Sequence, residues 1–216
     1  MRDLFHEELD SITADHIRMA NLVHDAIESA TRALLNADLQ LAEKVIADDL
    51  SVDNIQHALD DRTINIIARQ QPVASDLRTL VSSLRISADL ERMGDLAHHL
   101  AKLARMRYPV SAVPEELKDV IFEMGVAATR IVEKMVVVLE FRDVNRALEV
   151  DKDDDEMDIL QRKLIAQLLN PEWKHSVETA VDMAFASRYY ERFSDHAVSI
   201  AQRVYYTQTG EFAPKA

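Results

Sequence analysis

Placed at about 100° per residue, the apolar positions of residues 73–107 form a helical stripe that changes sides partway along. The stripe first runs through Leu77, Val81 and Leu84, and later through Met93, Ala97, Leu100 and Ala104. Residues 173–208 repeat this, with Val177, Val181 and Ala184 followed by Phe193, Ala197, Ile200 and Val204. Glu91 and Asp95 are four residues apart, so they share a helix face, and they stand where the first stripe would have continued. The acidic face is therefore expected as a surface patch beside the core, at the point where the helix passes from one set of neighbours to another.

Proline and glycine place the helix breaks. The chain has only 3 Gly and 5 Pro, with the prolines at 72, 109, 114, 171 and 214 and long proline-free stretches between them. A further break is expected near Asn36-Ala37-Asp38, with Asp38 capping the helix that follows. The pattern predicts helices at about 3–36, 38–70, 73–107, 114–141, 144–169 and 173–208. The third and sixth match without a gap at an offset of 100 residues: Val81 pairs with Val181, Ser87 with Ser187, Glu91 with Glu191, Arg92 with Arg192, Asp95 with Asp195, Ala97 with Ala197 and Ala101 with Ala201. Two unrelated amphipathic helices would share apolar positions, but here an acidic-basic-acidic triplet is kept as well, which indicates duplication. The expected fold is all-α, with six long helices in two tandem three-helix bundles, the first unit covering residues 1–110 and the second 111–216.

Composition narrows the function. With 25 basic and 38 acidic residues the formal charge is -13, and there is no Lys/Arg block, so direct nucleic-acid binding is not expected. The absence of cysteine removes disulfides, thiolate nucleophiles and thiolate metal sites. No apolar run is long enough to span a membrane and the N-terminal residues lack a signal-peptide core, so a cytoplasmic location is expected.

Candidate chemistry lies in the acids. Two carboxylates at i and i+4 offer hard oxygen donors to one cation, suiting Mg²⁺, Ca²⁺, Mn²⁺ or ferric iron, whereas zinc more often takes His or Cys. A single pair is far more readily read as a solvated helix face on which Arg92 or a neighbouring Arg pairs with the acids. The second helix of each unit, however, carries a spaced pair of its own, Asp49 and Asp53 in one and Asp154 and Asp158 in the other. Each unit therefore has four carboxylates on two helices, and the run Asp151–Asp158 concentrates like charge in a way that a counter-cation would relieve. His98 and His99 fall one turn past Asp95, but Val198 and Ser199 replace them in the second copy, so they are read as satisfied surface residues outside the repeated design. Trp173, after Pro171, is read as a packing residue at a loop, and the methionines as core. Gly-rich phosphate loops, His-Glu-x-x-His and strand-turn-helix nucleophile motifs are absent, and the one Glu-x-x-His, Glu172–His175, stands beside a proline instead of inside a helix.

The stretch Arg69-Gln70-Gln71-Pro72-Val73-Ala74-Ser75-Asp76-Leu77-Arg78, followed by Asp89-Leu90-Glu91-Arg92-Met93-Gly94-Asp95, resembles the PhoU family of bacterial phosphate-transport regulators, especially its actinobacterial branch. Glu191-Arg192-Phe193-Ser194-Asp195-His196-Ala197-Val198, the later Thr209-Gly210-Glu211 and the opening Phe5-His6-Glu7-Glu8-Leu9 carry the resemblance along nearly the whole chain. It implies E(D)xxxD patterns on the second and third helices of each unit, holding metal in some members. By matching positions the implied ligands are Asp49, Asp53, Glu91, Asp95, Asp154, Asp158, Glu191 and Asp195, with Asp48, Asp151 and Asp155 allowing other registers in the second helices. The implied cofactors are iron, zinc, manganese or magnesium ions, with no organic cofactor. The implied activity is regulatory and not catalytic: a homodimeric negative regulator of phosphate uptake and of the starvation response. It would bridge the phosphate transporter ATPase subunit and a membrane sensor histidine kinase, peripheral to the inner membrane face through these partners. A carboxylate-metal hydrolase or oxidase and a plain helical scaffold are the alternatives.

Overall fold

The computed structural model describes residues 2–214, apart from the side chains of residues 2–4 and 6, so the His6 side chain of the opening motif lies outside the described residues. The helices are α1 (Arg2–Asn36), α2 (Leu39–Gln70), α3 (Ala74–Arg107), α4 (Lys118–Phe141), α5 (Val144–Leu168) and α6 (Val177–Thr209), with a 3₁₀ turn at Glu115–Leu117 leading into α4. Among the described residues there is no strand, and no helix is long and apolar enough to cross a membrane.

The breaks have local causes. Ala37 takes a left-handed φ of 51°, and the Asp38 carboxylate then accepts from the Leu41 amide at 3.0 Å to start α2, as expected for a cap. Asp143 does the same for α5, accepting from the Asn145 and Arg146 amides. The last helix begins later than the pattern predicts, at Val177 instead of about 173. The Asn170 side chain and carbonyl hold the amides of Glu172 and Trp173, both at 2.9 Å, in a turn, and Ser176 is the cap, accepting from the Thr179 amide at 3.0 Å. Trp173 packs partly buried against the core from this turn, as the sequence reading expects.

α1, α3, α6 and α4 form a closed ring of helix contacts, each packing on the next, while α2 lies outside against α1 and α3 and α5 outside against α4 and α6. The two three-helix units thus share one continuous core, which includes Met19, Ile27 and Leu90 from the first and Met135, Tyr190 and Phe193 from the second. Close approach of α1 and α4 depends on Gly125, where an added Cβ would meet the Thr31 methyl at 2.4 Å. Thr31 also shares a 2.7 Å hydrogen bond with the buried Tyr190 hydroxyl, tying α1 to α6.

The two apolar stripes of α3 and α6 separate differently from the sequence reading. The later stripe is core: Met93, Ala97, Leu100 and Phe193, Ala197, Ile200 are fully buried. The earlier stripe stays at the surface, with Leu77 and Val81 each 38% exposed and Val177 and Val181 more so. The buried positions of that half of α3 are Leu80, Ser82, Ser83, Ile86, Ser87 and Leu90, where small serines allow the helices to approach closely.

Candidate metal centre

Each outer helix brings its acid pair to the inner helix beside it. Along α2, Val45, Val52 and Leu59 are buried, and Asp49 and Asp53 follow the edge of that seam. Gly94 makes room for the contact, since a Cβ there would sit 3.2 Å from Asp49 Oδ1 and 3.6 Å from Val52. The four acids of the first unit then lie near enough to act on one another. Burial and the charges of Asp49 and Asp95 push the Asp53 carboxyl upward. Glu91 is raised by burial and by Asp95, with Arg92 opposing and Asp53 and Asp49 adding. The second unit repeats this. Asp154 is pushed up to about 7, first by burial and then by the charges of Asp195, Asp158, Glu191 and Asp151. Glu191 is raised by burial and by Asp195, against the opposing charge of Arg188, with Asp158 adding. The structure thus gathers the eight sequence-predicted acids into two clusters. Of the residues that allowed other registers, Asp48 and Asp155 are exposed, while Asp151 is half-buried, accepts from Gln202 at 3.4 Å and adds to the charge around Asp154.

The glutamates are recessed, whereas Asp158 and Asp195 of the second cluster lie at the surface. The side chains of Glu91 and Glu191 are only 24% and 14% exposed. Arginines answer part of the charge: Arg92 reaches Asp95 at 2.8 Å and Glu91 at 3.5 Å, and Arg188 pairs with Glu191. Acids still outnumber arginines in each cluster.

His98 belongs to the first cluster, contrary to its reading as a surface residue. Its Nδ1 pairs with the Asp49 carboxylate, and its Nε2 is buried without a partner. The signal was present in the spacing, since His98 follows Glu91 by seven residues and Asp95 by three, on the same helix face. Val198 at the matching position of the second copy masks it, since a ligand used in one copy leaves no trace in the repeat. His99 is separate and stacks on Tyr189 of α6 at 5.2 Å.

The donor set fits a hard cation. Carboxylates predominate, one imidazole joins them in the first cluster, and Asp154 Oδ1 and Glu191 Oε2 in the second are buried with no hydrogen-bond partner. Among the described residues no three acid or histidine side chains converge on one point, and a cation would compete with Arg92 for Glu91 and Asp95 and with Arg188 for Glu191.

Comparison with known proteins gives the family of the chain as a whole. The PhoU domain family matches twice, at residues 17–104 and 121–204. The phosphate-specific transport system accessory protein PhoU homolog 2 of Mycobacterium tuberculosis is 42% identical over 212 residues, covering 98% of this chain and 100% of the relative. Homolog 1 of Mycobacterium leprae is 41% identical, covering 98% and 96%. The crystal structure of PhoU from Pseudomonas aeruginosa superposes with a TM-score of 0.85 at 28% identity, covering 96% of this chain and all of that one. The regulatory protein PhoU of Streptococcus pneumoniae shares the fold, with a TM-score of 0.87 at 23% identity. With two domain matches in tandem and full-length relatives of this similarity, the chain belongs to the PhoU family.

Proposed function

We propose that this chain is a cytoplasmic negative regulator of phosphate uptake and of the phosphate-starvation response, acting as an adaptor between the transporter ATPase subunit and a membrane sensor histidine kinase. The observation that carries this reading is the end-to-end likeness to relatives named as phosphate-specific transport accessory proteins. A helical body without a Gly-rich phosphate loop suits contact with partners along its length better than turnover.

The two acidic clusters serve this role as cation sites. Asp49, Asp53, Glu91, Asp95 and His98 would hold a cation in the first unit, and Asp154, Asp158, Glu191 and Asp195 in the second. The positive charge supplied by a bound cation offsets the mutual repulsion of the acids. The protein's own contribution is to keep these carboxylates gathered on adjacent helices and partly screened from water, which strengthens their hold on a cation. Iron, manganese, magnesium and zinc are the candidate ions, and the acting unit is a homodimer.

Deletion of the gene tests the regulatory reading. In phosphate-rich medium, starvation genes should rise to near their starved level, and the intact gene should restore repression. Full repression in the deletion strain would contradict the proposal. A carboxylate-metal enzyme, by contrast, would show phosphatase or oxidase turnover once loaded with metal.

A further inference from the structure

The exposed first stripe of α3 borders a groove of about 620 Å³ where the first half of α3 runs beside the end of α6. Its charged lining is Arg78, Arg85 and Arg203, with no carboxylate, in a chain of net charge -13. Arg203 donates to Asp89 at 3.1 Å. Arg78 and Arg85 have neither an ion pair nor a hydrogen bond among the described residues, and the Arg78 Nε is buried without a partner.

Arg78 is nevertheless held in place. Its guanidinium lies 5.5 Å from the centre of the Tyr206 ring, which stacks on Phe212 at 5.0 Å. On another side it rests against Gly210, where an added Cβ would come within 2.7 Å of Nη1. Arg78 closes the Arg69–Arg78 stretch and Gly210 sits in Thr209-Gly210-Glu211, so two signature stretches from distant parts of the sequence meet here, away from both acidic clusters.

The duplication supplies an internal comparison. Where the end of α3 meets the start of α6, Arg107 donates to Asp182 at 2.6 Å and to Glu178 at 2.7 Å, two carboxylates four residues apart on one helix. Shifted by 100 residues, Glu178 and Asp182 become Arg78 and Ser82, and Arg107 becomes Thr207. At one end of the α3–α6 contact an arginine is answered by helical acids from within the chain; at the other the charge is reversed, with Arg78 at the position of one acid and the uncharged Thr207 at that of the arginine, so no carboxylate answers Arg78 there. Arg78 and Arg85 are seven residues apart, two turns and about 10 Å along the helix. That span, with exposed Val81 between them and exposed Leu77 just before Arg78, suits an elongated amphipathic ligand and not a single phosphate ion.

We propose that this groove docks an acidic amphipathic helix of a partner protein, its carboxylates two turns apart meeting Arg78 and Arg85 and its apolar side chains covering Leu77, Val81 and Phe212. The proposal does not depend on the phosphate pathway or on metal, so its failure would leave the repression assay untouched.

A phage-displayed library of random peptides about 16 residues long, roughly four helical turns, panned on the full-length protein tests it. The expected result is enrichment of peptides with acids seven apart that bind the wild type at least ~10-fold more tightly than Arg78→Glu or Arg85→Glu, and that weaken in about 0.3 M salt. Arg85 is exposed, so Arg85→Glu keeps the test open even if Arg78→Glu, packed against Gly210, misfolds. Failure to enrich acidic peptides, or equal binding to Arg85→Glu, overturns the proposal. Displacement of the peptides by millimolar inorganic phosphate would identify an oxyanion site instead. A wild-type dimer that becomes a monomer in Arg85→Glu would make the occupant a second copy of this chain. Either result also overturns the proposal.

Discussion

At Asp154, burial and four neighbouring carboxylates raise the pKa to about 7, so its charge acts against folding when no cation is bound. The unfolded chain loses this proton near the ordinary carboxylate pKa while the folded chain keeps it to about 7, so metal-free stability falls as pH rises through that interval. Asp154→Asn should stabilise the chelated protein by about 1–2 kcal/mol at pH 8 in urea denaturation, after allowance for screening. If the cluster is a cation site, added manganese should stabilise the wild type more than this variant; equal gains in both would remove Asp154 from the site. His16 has the opposite sign. Burial lowers its pKa from 6.5 to about 4, and its Nε2 lies 3.2 Å from the Ser83 carbonyl. The unfolded state therefore takes up a proton first as pH falls from 6.5 to about 4, and stability is lost across that window, by about 3 kcal/mol in all. The slope of stability against pH should be correspondingly flatter in His16→Gln, and an unchanged slope would show that His16 titrates normally. Because the two groups oppose one another, each effect is read as a difference from its own variant.

The helices illustrate what periodicity conveys and what it conceals. Six helices, the Asp38 cap and the repeat at an offset of 100 follow from proline placement, cap chemistry and matched triplets, all of which act locally. The late start of α6 was not legible, because the Asn170 turn and the Ser176 cap compete with an apolar pattern that runs on through Trp173. Nor was the burial of α3. A scan for large apolar residues selects Leu77 and Val81, whereas the face that meets its neighbours closely is built on Ser82, Ser83, Ser87 and Gly94, whose value is their small size. Gly125 is the strictest case of this kind. Gly125→Ala would drive a methyl group into Thr31 and should lower stability by about 2–3 kcal/mol with a matching fall in Tm. A neutral effect would mean that α1 and α4 can separate freely.

Across the whole molecule, duplication has produced two clusters of similar charge but a junction with two unlike ends. Near one end Asp89 accepts from His196, Ser199 and Arg203; burial alone would raise its pKa, but these hydrogen bonds hold it below the ordinary range. In the position related by the repeat, His99 and Tyr189 stack. Pairing of helices within each unit was readable from the sequence, but this junction was not, because its partners lie more than 100 residues apart and come from different copies. Asp89→Asn should cost about 2–3 kcal/mol, since it weakens a network that joins the two units. The acidic clusters, by contrast, occupy equivalent helices and share the upward shift of Glu91 and Glu191, with His98 added only in the first. The direct test is the metal content of untagged full-length protein, measured by inductively coupled plasma mass spectrometry for the wild type, Asp53→Asn/Glu91→Gln, Asp154→Asn/Glu191→Gln and all four substitutions together. Each pair should remove about half of the bound metal and the combination nearly all of it, if each carboxylate cluster holds an equal share. Metal-free wild-type protein, or a content unchanged by all four substitutions, would contradict the assignment of these clusters as metal centres.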